Sequence, residues 1–278
     1  MGTILLTGWD FDPTLVVGIG GLAVLYLSPL GQISDAGVSA RTRRWQTISF
    51  LAGVGVLAFA LISPLDALSD RYLFSAHMFQ HLLLLLVVPV LLLWGAPDGW
   101  FAWLLGWRAI GWALRRFGRP LPSLLLYVGA IWIWHVPSLY EAALANQTIH
   151  VGEHLCFLGT ALLYWWPICR SRTHPEPMSE LLSLAYLFGA AICSTALSAL
   201  ITFSGTVLYS TYSLPGPDRA IQVALGMTPL VDQQTGGLEM WVGGAFWIVG
   251  AAMIIFVRWF ERPSEDSPER LAADVPPH

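Results

Sequence analysis

Apolar residues run along this chain in seven long stretches, at about 14–30, 46–62, 73–95, 121–138, 148–169, 180–203 and 239–260. A helix of about 20 apolar residues matches the hydrocarbon thickness of a bilayer. Helices are the expected spanning form because each satisfies its own backbone hydrogen bonds. The pattern therefore predicts an all-α polytopic membrane bundle of seven transmembrane helices, formed by residues 1–260. The first two stretches contain GIGG and GVG, small residues that let helices pack closely in lipid. Beyond residue 260 the chain turns polar and proline-rich, and 261–278 is expected to be a disordered cytoplasmic tail. No removable signal peptide, internal repeat or second domain is visible.

Between the third and fourth stretches, residues 98–119 read DGWFAWLLGWRAIGWALRRFGR. Tryptophan interleaved with arginine predicts one amphipathic helix lying in the cytoplasmic interface. The connection 204–238 is long, and connections of that length are often functional.

Composition supports the membrane reading. The chain of 278 residues is 55% hydrophobic and only 12% charged, with mean hydropathy +0.61; a soluble domain is about one quarter charged. All 14 basic residues are arginine, which excludes chemistry that needs a Schiff-base lysine. Cys156, Cys169 and Cys193 form no CxxC pair, so they read as small packing residues, not as a disulfide framework or thiolate site. With seven spans, 12 arginines fall on one side and only Arg71 and Arg219 on the other. The positive-inside rule then puts the N-terminus outside and the C-terminus in the cytoplasm.

The chemistry lies in the histidines. His174 and His278 are expected in solvent. His77 and His81 open the third stretch, His135 closes the fourth, and His150 and His154 open the fifth. At ~1.5 Å rise per residue, all five fall in roughly the outer third of the bilayer. His77/His81 and His150/His154 are spaced i, i+4, so each pair shares a helix face. One intramembrane histidine is commonly a hydrogen-bonding link between helices. Five at one depth, with two same-face pairs, point to a metal site. Glu153 lies beside His154 as a ligand, a hydrogen-bonding support or an ion-pair member. Asp232 leads into the seventh stretch and is expected as a helix cap or a support more than a ligand. Met78 and Met240 are expected to pack, with a thioether ligand as the other reading. Imidazole with a possible thioether suits copper; imidazole alone also suits zinc or iron.

The segments HMFQH, WHVPSLY, HVGEH and DQQTGGLEMW occur in an order that resembles the CtaG family of cytochrome c oxidase assembly factors, the group named for the caa3-type oxidase. The likeness covers most of residues 45–260 and leaves out the first stretch and the tail. It implies a multi-pass protein of the bacterial plasma membrane that matures a haem–copper oxidase by delivering or inserting copper. Its partners would be oxidase subunits and a soluble extracytoplasmic copper donor, not nucleic acid. Carried over by position, the family's histidines fall on His77, His81, His135, His150 and His154, with Glu153 and Asp232 in the same motifs. Three other readings stand beside it: a b-type haem protein, a membrane di-iron oxidase, and a metal-free scaffold for oxidase subunits. No nucleophile–base constellation or phosphate loop is visible, so no enzymatic activity is expected.

Overall fold

The structure, a computed structural model, describes residues 8–28, 38–170, 174–213 and 219–261. The expected tail beyond Glu261, with Arg262, Arg270 and His278, lies outside the described residues, as does Arg172. The described elements are α1 (Pro13–Leu27), α2 (Ala40–Ile62), α3 (Pro64–Arg71), α4 (Phe74–Leu82), α5 (Val88–Gly95), α6 (Asp98–Gly106), α7 (Arg108–Phe117), α8 (Pro120–Trp134), α9 (Pro137–Ala145), α10 (Gln147–Cys169), α11 (Glu180–Thr202), α12 (Ala220–Ala224) and α13 (Pro229–Phe260). A π-helical turn, Leu83–Val87, joins α4 to α5, and a 3-10 turn covers Ser210–Tyr212. The described residues contain no strand.

Four helical stretches are long and apolar enough to cross a membrane: Ala40–Ile62, Phe74–Gly95, Glu180–Thr202 and Pro229–Phe260. The pair α8 and α9 makes a fifth if it counts as one span, although it bends by 76°. Pro137 explains the bend: it lacks an N–H and disfavours helical geometry in Val136 before it. Helix α1 is apolar but has only 15 residues. Helix α10 has 23 residues but falls short in apolarity, since Gln147, Thr148, His150, Glu153 and His154 occupy its first turns.

Large apolar side chains face outward, while a set of polar ones is buried within the apolar core. Phe246, Ile192, Leu155 and Leu125 stand 80%, 69%, 66% and 62% exposed, while His77, Gln80 and Asp232 are fully buried. A soluble protein reverses this distribution; a hydrocarbon solvent accounts for it.

Two expected elements differ. The interfacial helix is two helices, because Trp107 adopts an extended conformation (φ −75°, ψ 126°) between α6 and α7. Trp103, Trp107 and Trp112 are all exposed. The last helix begins at Pro229, not near 239, with Thr228 Oγ1 accepting from Val231 N at 3.2 Å and proline in the first turn. Asp232, Gln233 and Gln234 therefore sit in the first turns of α13, not on the approach to it.

Two features fix the helix that carries His77 and His81. Pro89 has no N–H to offer the carbonyl of Leu85 four residues back. Trp165 Nε1 supplies the missing donor to Leu85 O at 2.9 Å, in the region where the helix widens into its π turn. At the other end, Leu73 provides no side-chain cap for α4. The cap comes from α13: Asp232 Oδ2 accepts from Phe74 N at 2.7 Å, and Oδ1 accepts from Ser75 N at 3.1 Å and Ser75 Oγ at 2.6 Å. A carboxylate there also meets the positive end of the helix dipole. Close approach of the two helices needs Gly236, where a Cβ would stand 2.6 Å from the Phe74 ring and 3.0 Å from Met78 Cγ.

Asp232→Ala leaves three buried donors without an acceptor. It is expected to cost about 2 kcal/mol or more, read as a lower unfolding temperature in detergent. Asp232→Asn, which keeps one acceptor oxygen, is expected to cost less.

Candidate metal centre

Helix α4 presents His77 and His81 on one face, and α10 presents His150, Glu153 and His154 toward them. The start of α10 is set by Asn146 Oδ1, which accepts from Thr148 N at 2.9 Å and Ile149 N at 3.3 Å. Ring centroids are 4.2 Å apart within each i, i+4 pair. Across the helices they are 5.5 Å (His77/His150), 5.7 Å (His81/His154) and 6.3 Å (His77/His154). His135, at the bend between α8 and α9, stands 6.0 Å from His81. The three histidine-bearing stretches thus converge.

What these groups lack is partners. Both ring nitrogens of His77 and His81, Nε2 of His150 and His154, and both oxygens of Glu153 are buried without a hydrogen bond. Such atoms cost about 1–3 kcal/mol each when left unsatisfied. Two groupings bring one ligand atom per residue within 4.8 Å of one another: His77, His150 and His154, and His77, His81 and Glu153. Neutral imidazoles and a carboxylate make a donor set suited to a transition-metal ion. Glu153 Oε1 is 3.8 Å from His81 Nε2, inside the cluster.

The remaining expected site residues divide. His135 belongs to neither grouping. Its Nδ1 lies 2.6 Å from Ile131 O and its Nε2 faces Met78 Sδ at 3.4 Å. Met78 is fully buried. Met240 lines a cavity of about 50 Å³ together with Met78, His81 and His135. Both oxygens of Asp232 are committed to the cap, so it supports the histidine helix and does not reach the cluster.

Several supporting residues were not singled out from the sequence. Asp70 Oδ2 lies 3.5 Å from His150 Nδ1, leaving Nε2 for the cluster; a carboxylate behind a histidine orients it as a ligand. Gln80, the fourth residue of HMFQH, donates to Ala60 O at 2.8 Å and Asp66 Oδ1 at 2.7 Å, and accepts from Ser69 Oγ at 3.0 Å. It ties α4 to α2 and α3. Burial pushes the carboxyls of Asp66 and Asp70 up to about 7, and the charge of Asp70 adds to the rise at Asp66. Asp10, Asp66, Asp70, His150 and His154 line a cavity of about 20 Å³. Tyr140 covers His77 at 5.1 Å between centroids. Its hydroxyl meets that of Tyr212 at 2.9 Å, and Tyr212 donates to Ser69 O at 2.7 Å. Only the length of the 204–238 connection hinted at these supporting groups.

His174 corrects its solvent assignment. It is buried; Nε2 lies 2.8 Å from Gly118 O, and Nδ1 lies 2.7 Å from Glu176 O and 3.1 Å from Glu176 N. It fastens the α7–α8 corner at the end of the bundle far from the cluster.

Among curated proteins, uncharacterized proteins of Mycobacterium bovis and Mycobacterium tuberculosis are each 24% identical to this chain, over 92% of it and 40% of their own length. One of Mycobacterium leprae is 22% identical over 67% of this chain and 30% of its own. The chain thus spans less than half the length of these relatives. No solved structure matches it. The sequence profile of the cytochrome c oxidase caa3 assembly factor family (Caa3_CtaG) matches residues 24–262. With most of its length so matched, histidine cluster included, the chain belongs to that family of cytochrome c oxidase assembly factors.

Proposed function

We propose that this protein holds copper at the cluster of His77, His81, His150, His154 and Glu153 and passes it to a haem–copper oxidase during assembly. The observation that carries the reading is the set of buried, unpartnered nitrogen and oxygen atoms on facing helices. One cation satisfies several of them at once, where hydrogen bonding within the protein satisfies none. Copper is cargo here, and the protein acts as a carrier, not as an enzyme. The chain's own residues orient the donors: Asp70 behind His150, Asn146 at the start of α10, and Asp232 at the start of α4. The cavities beside the cluster, about 50 and about 20 Å³, suit an ion better than a haem macrocycle.

The same reading places residues 1–260 as one domain crossing the bacterial plasma membrane seven times. Support comes from charge. Arg41, Arg43, Arg44, Arg108, Arg115, Arg116, Arg119, Arg170 and Arg258 lie at or beyond helix ends remote from the histidines; Arg71 and Arg219 lie at the near ends. The positive-inside rule puts the cluster on the extracytoplasmic side, where oxidase subunits and a soluble copper donor would meet it.

Three outcomes follow. The double substitution His77→Ala, His81→Ala is expected to leave a folded protein that retains only background copper after purification, with oxidase activity lowered in cells that depend on it. Unchanged copper stoichiometry would remove the proposed site. Asp70→Asn is expected to weaken metal affinity by roughly 10- to 100-fold without abolishing it, measured by competition with a chelator. A fluorescent-protein fusion at the C-terminus is expected to fluoresce and a phosphatase fusion there to be inactive; the reverse pattern inverts the topology.

A further inference from the structure

His135 and Met78 face each other in a way that hydrogen bonding does not explain. His135 Nδ1 lies 2.6 Å from the carbonyl of Ile131. A carbonyl only accepts, so Nδ1 carries the proton and Nε2 presents a lone pair. That lone pair points at the thioether sulfur of Met78, 3.4 Å away. A thioether has no proton to give. Two lone-pair atoms thus meet in a buried place, Met78 fully covered and His135 at 4% exposure. Protonating the second nitrogen would put a cation there, and among the described residues no carboxylate pairs with His135.

We propose that Met78 Sδ and His135 Nε2 form a second metal site, separate from the imidazole–carboxylate cluster and selective for Cu(I). Geometry supports it. With metal–nitrogen and metal–sulfur bonds of about 2.0 and 2.3 Å, a separation of 3.4 Å closes around one ion at an angle of about 104°, that of an ion with a third or fourth donor from the cavity. Thioether with imidazole is a soft donor pair that favours Cu(I) over harder ions. The pair borders the cavity of about 50 Å³ that His81 and Met240 also line. His81 thus touches both places: it belongs to a cluster grouping with His77 and Glu153, and its ring is 6.0 Å from that of His135. An ion leaving the cluster meets the sulfur site next, on the side of α13.

The placement follows from the fold. The break at Val136–Pro137 ends α8 at His135, so the ring turns into the bundle. Gly236 on α13 has no side chain where a Cβ would meet Met78 Cγ at 3.0 Å, which lets Met78 lie between the helices.

The inference rests on copper being the cargo, and the test separates the two claims. The full-length protein is purified in detergent, loaded anaerobically with Cu(I) and examined by copper X-ray absorption, as the natural protein and with selenomethionine. Expected are two coppers per chain and a sulfur neighbour at about 2.3 Å, replaced by selenium in the labelled protein. Met78→Leu is expected to lose that neighbour and one copper while keeping the nitrogen neighbours of the cluster. Copper bound through nitrogen and oxygen alone in the unsubstituted protein overturns the sulfur site and leaves the carrier reading standing. No bound copper at all overturns both. Because selenium labelling needs no substitution, a Met78→Leu protein that fails to fold does not rescue the proposal.

Discussion

Both oxygens of Asp232 are committed to the first turn of α4, and the rest of the site depends on that commitment. Successive residues of a helix are about 100° apart around its axis. A helix docked one residue out of register would carry His77 and His81 away from α10. The two residues after Asp232 hold the cover of the site. Gln233 accepts from Leu208 N at 2.6 Å and donates to Thr206 O at 3.2 Å, and Gln234 donates to Ser204 O at 3.2 Å. These bonds anchor the segment that brings Tyr209 and Tyr212 over the cluster; Tyr209 in turn donates to His135 O at 2.9 Å. The DQQTGG motif thus works as one docking device: the carboxylate fixes the histidine helix, the two amides fix the aromatic cover, and Gly236 sets the distance.

The interior shows two ways of treating buried polar atoms. Away from the cluster many are paired, often by unusual means: Gln80 with Ala60, Asp66 and Ser69; the hydroxyl of Tyr26 with Gly95 O; the Leu85 carbonyl with the Trp165 indole; Tyr164 Oη, Trp166 Nε1 and Thr202 Oγ1 are single atoms left without a partner. Inside the cluster, histidine and glutamate atoms go without. A chain that recruits an indole to satisfy one carbonyl is able to pair polar groups where pairing is wanted. So many such atoms gathered in one place point to a function more than to a packing fault.

Much of this was legible in the sequence because it follows from spacing and hydropathy. The i, i+4 histidine pairs had to share faces, and the order of apolar stretches had to bring the polar ends of three helices together. Other features depended on contacts between residues distant in the chain. Nothing local tells Asp232 to cap a helix 157 residues away, or Asp70 to stand behind His150. His135 grouped with the other histidines by depth, yet Pro137 ends its helix at a point that turns its ring toward Met78. His174, in a polar loop, found two backbone partners that only the folded corner supplies. The span count was hardest to read, since the polar side chains in the first turns of α10 lower its apolarity.

Charge then limits what the cluster can hold. In a low-dielectric interior, an uncompensated charge costs several kcal/mol even after relaxation. Imidazole is a neutral ligand, so compensation must come from carboxylates. The grouping of His77, His81 and Glu153 contains one, and the grouping of His77, His150 and His154 has one behind it, Asp70. The two groupings share His77, so an ion held there would have both Glu153 and Asp70 beside it.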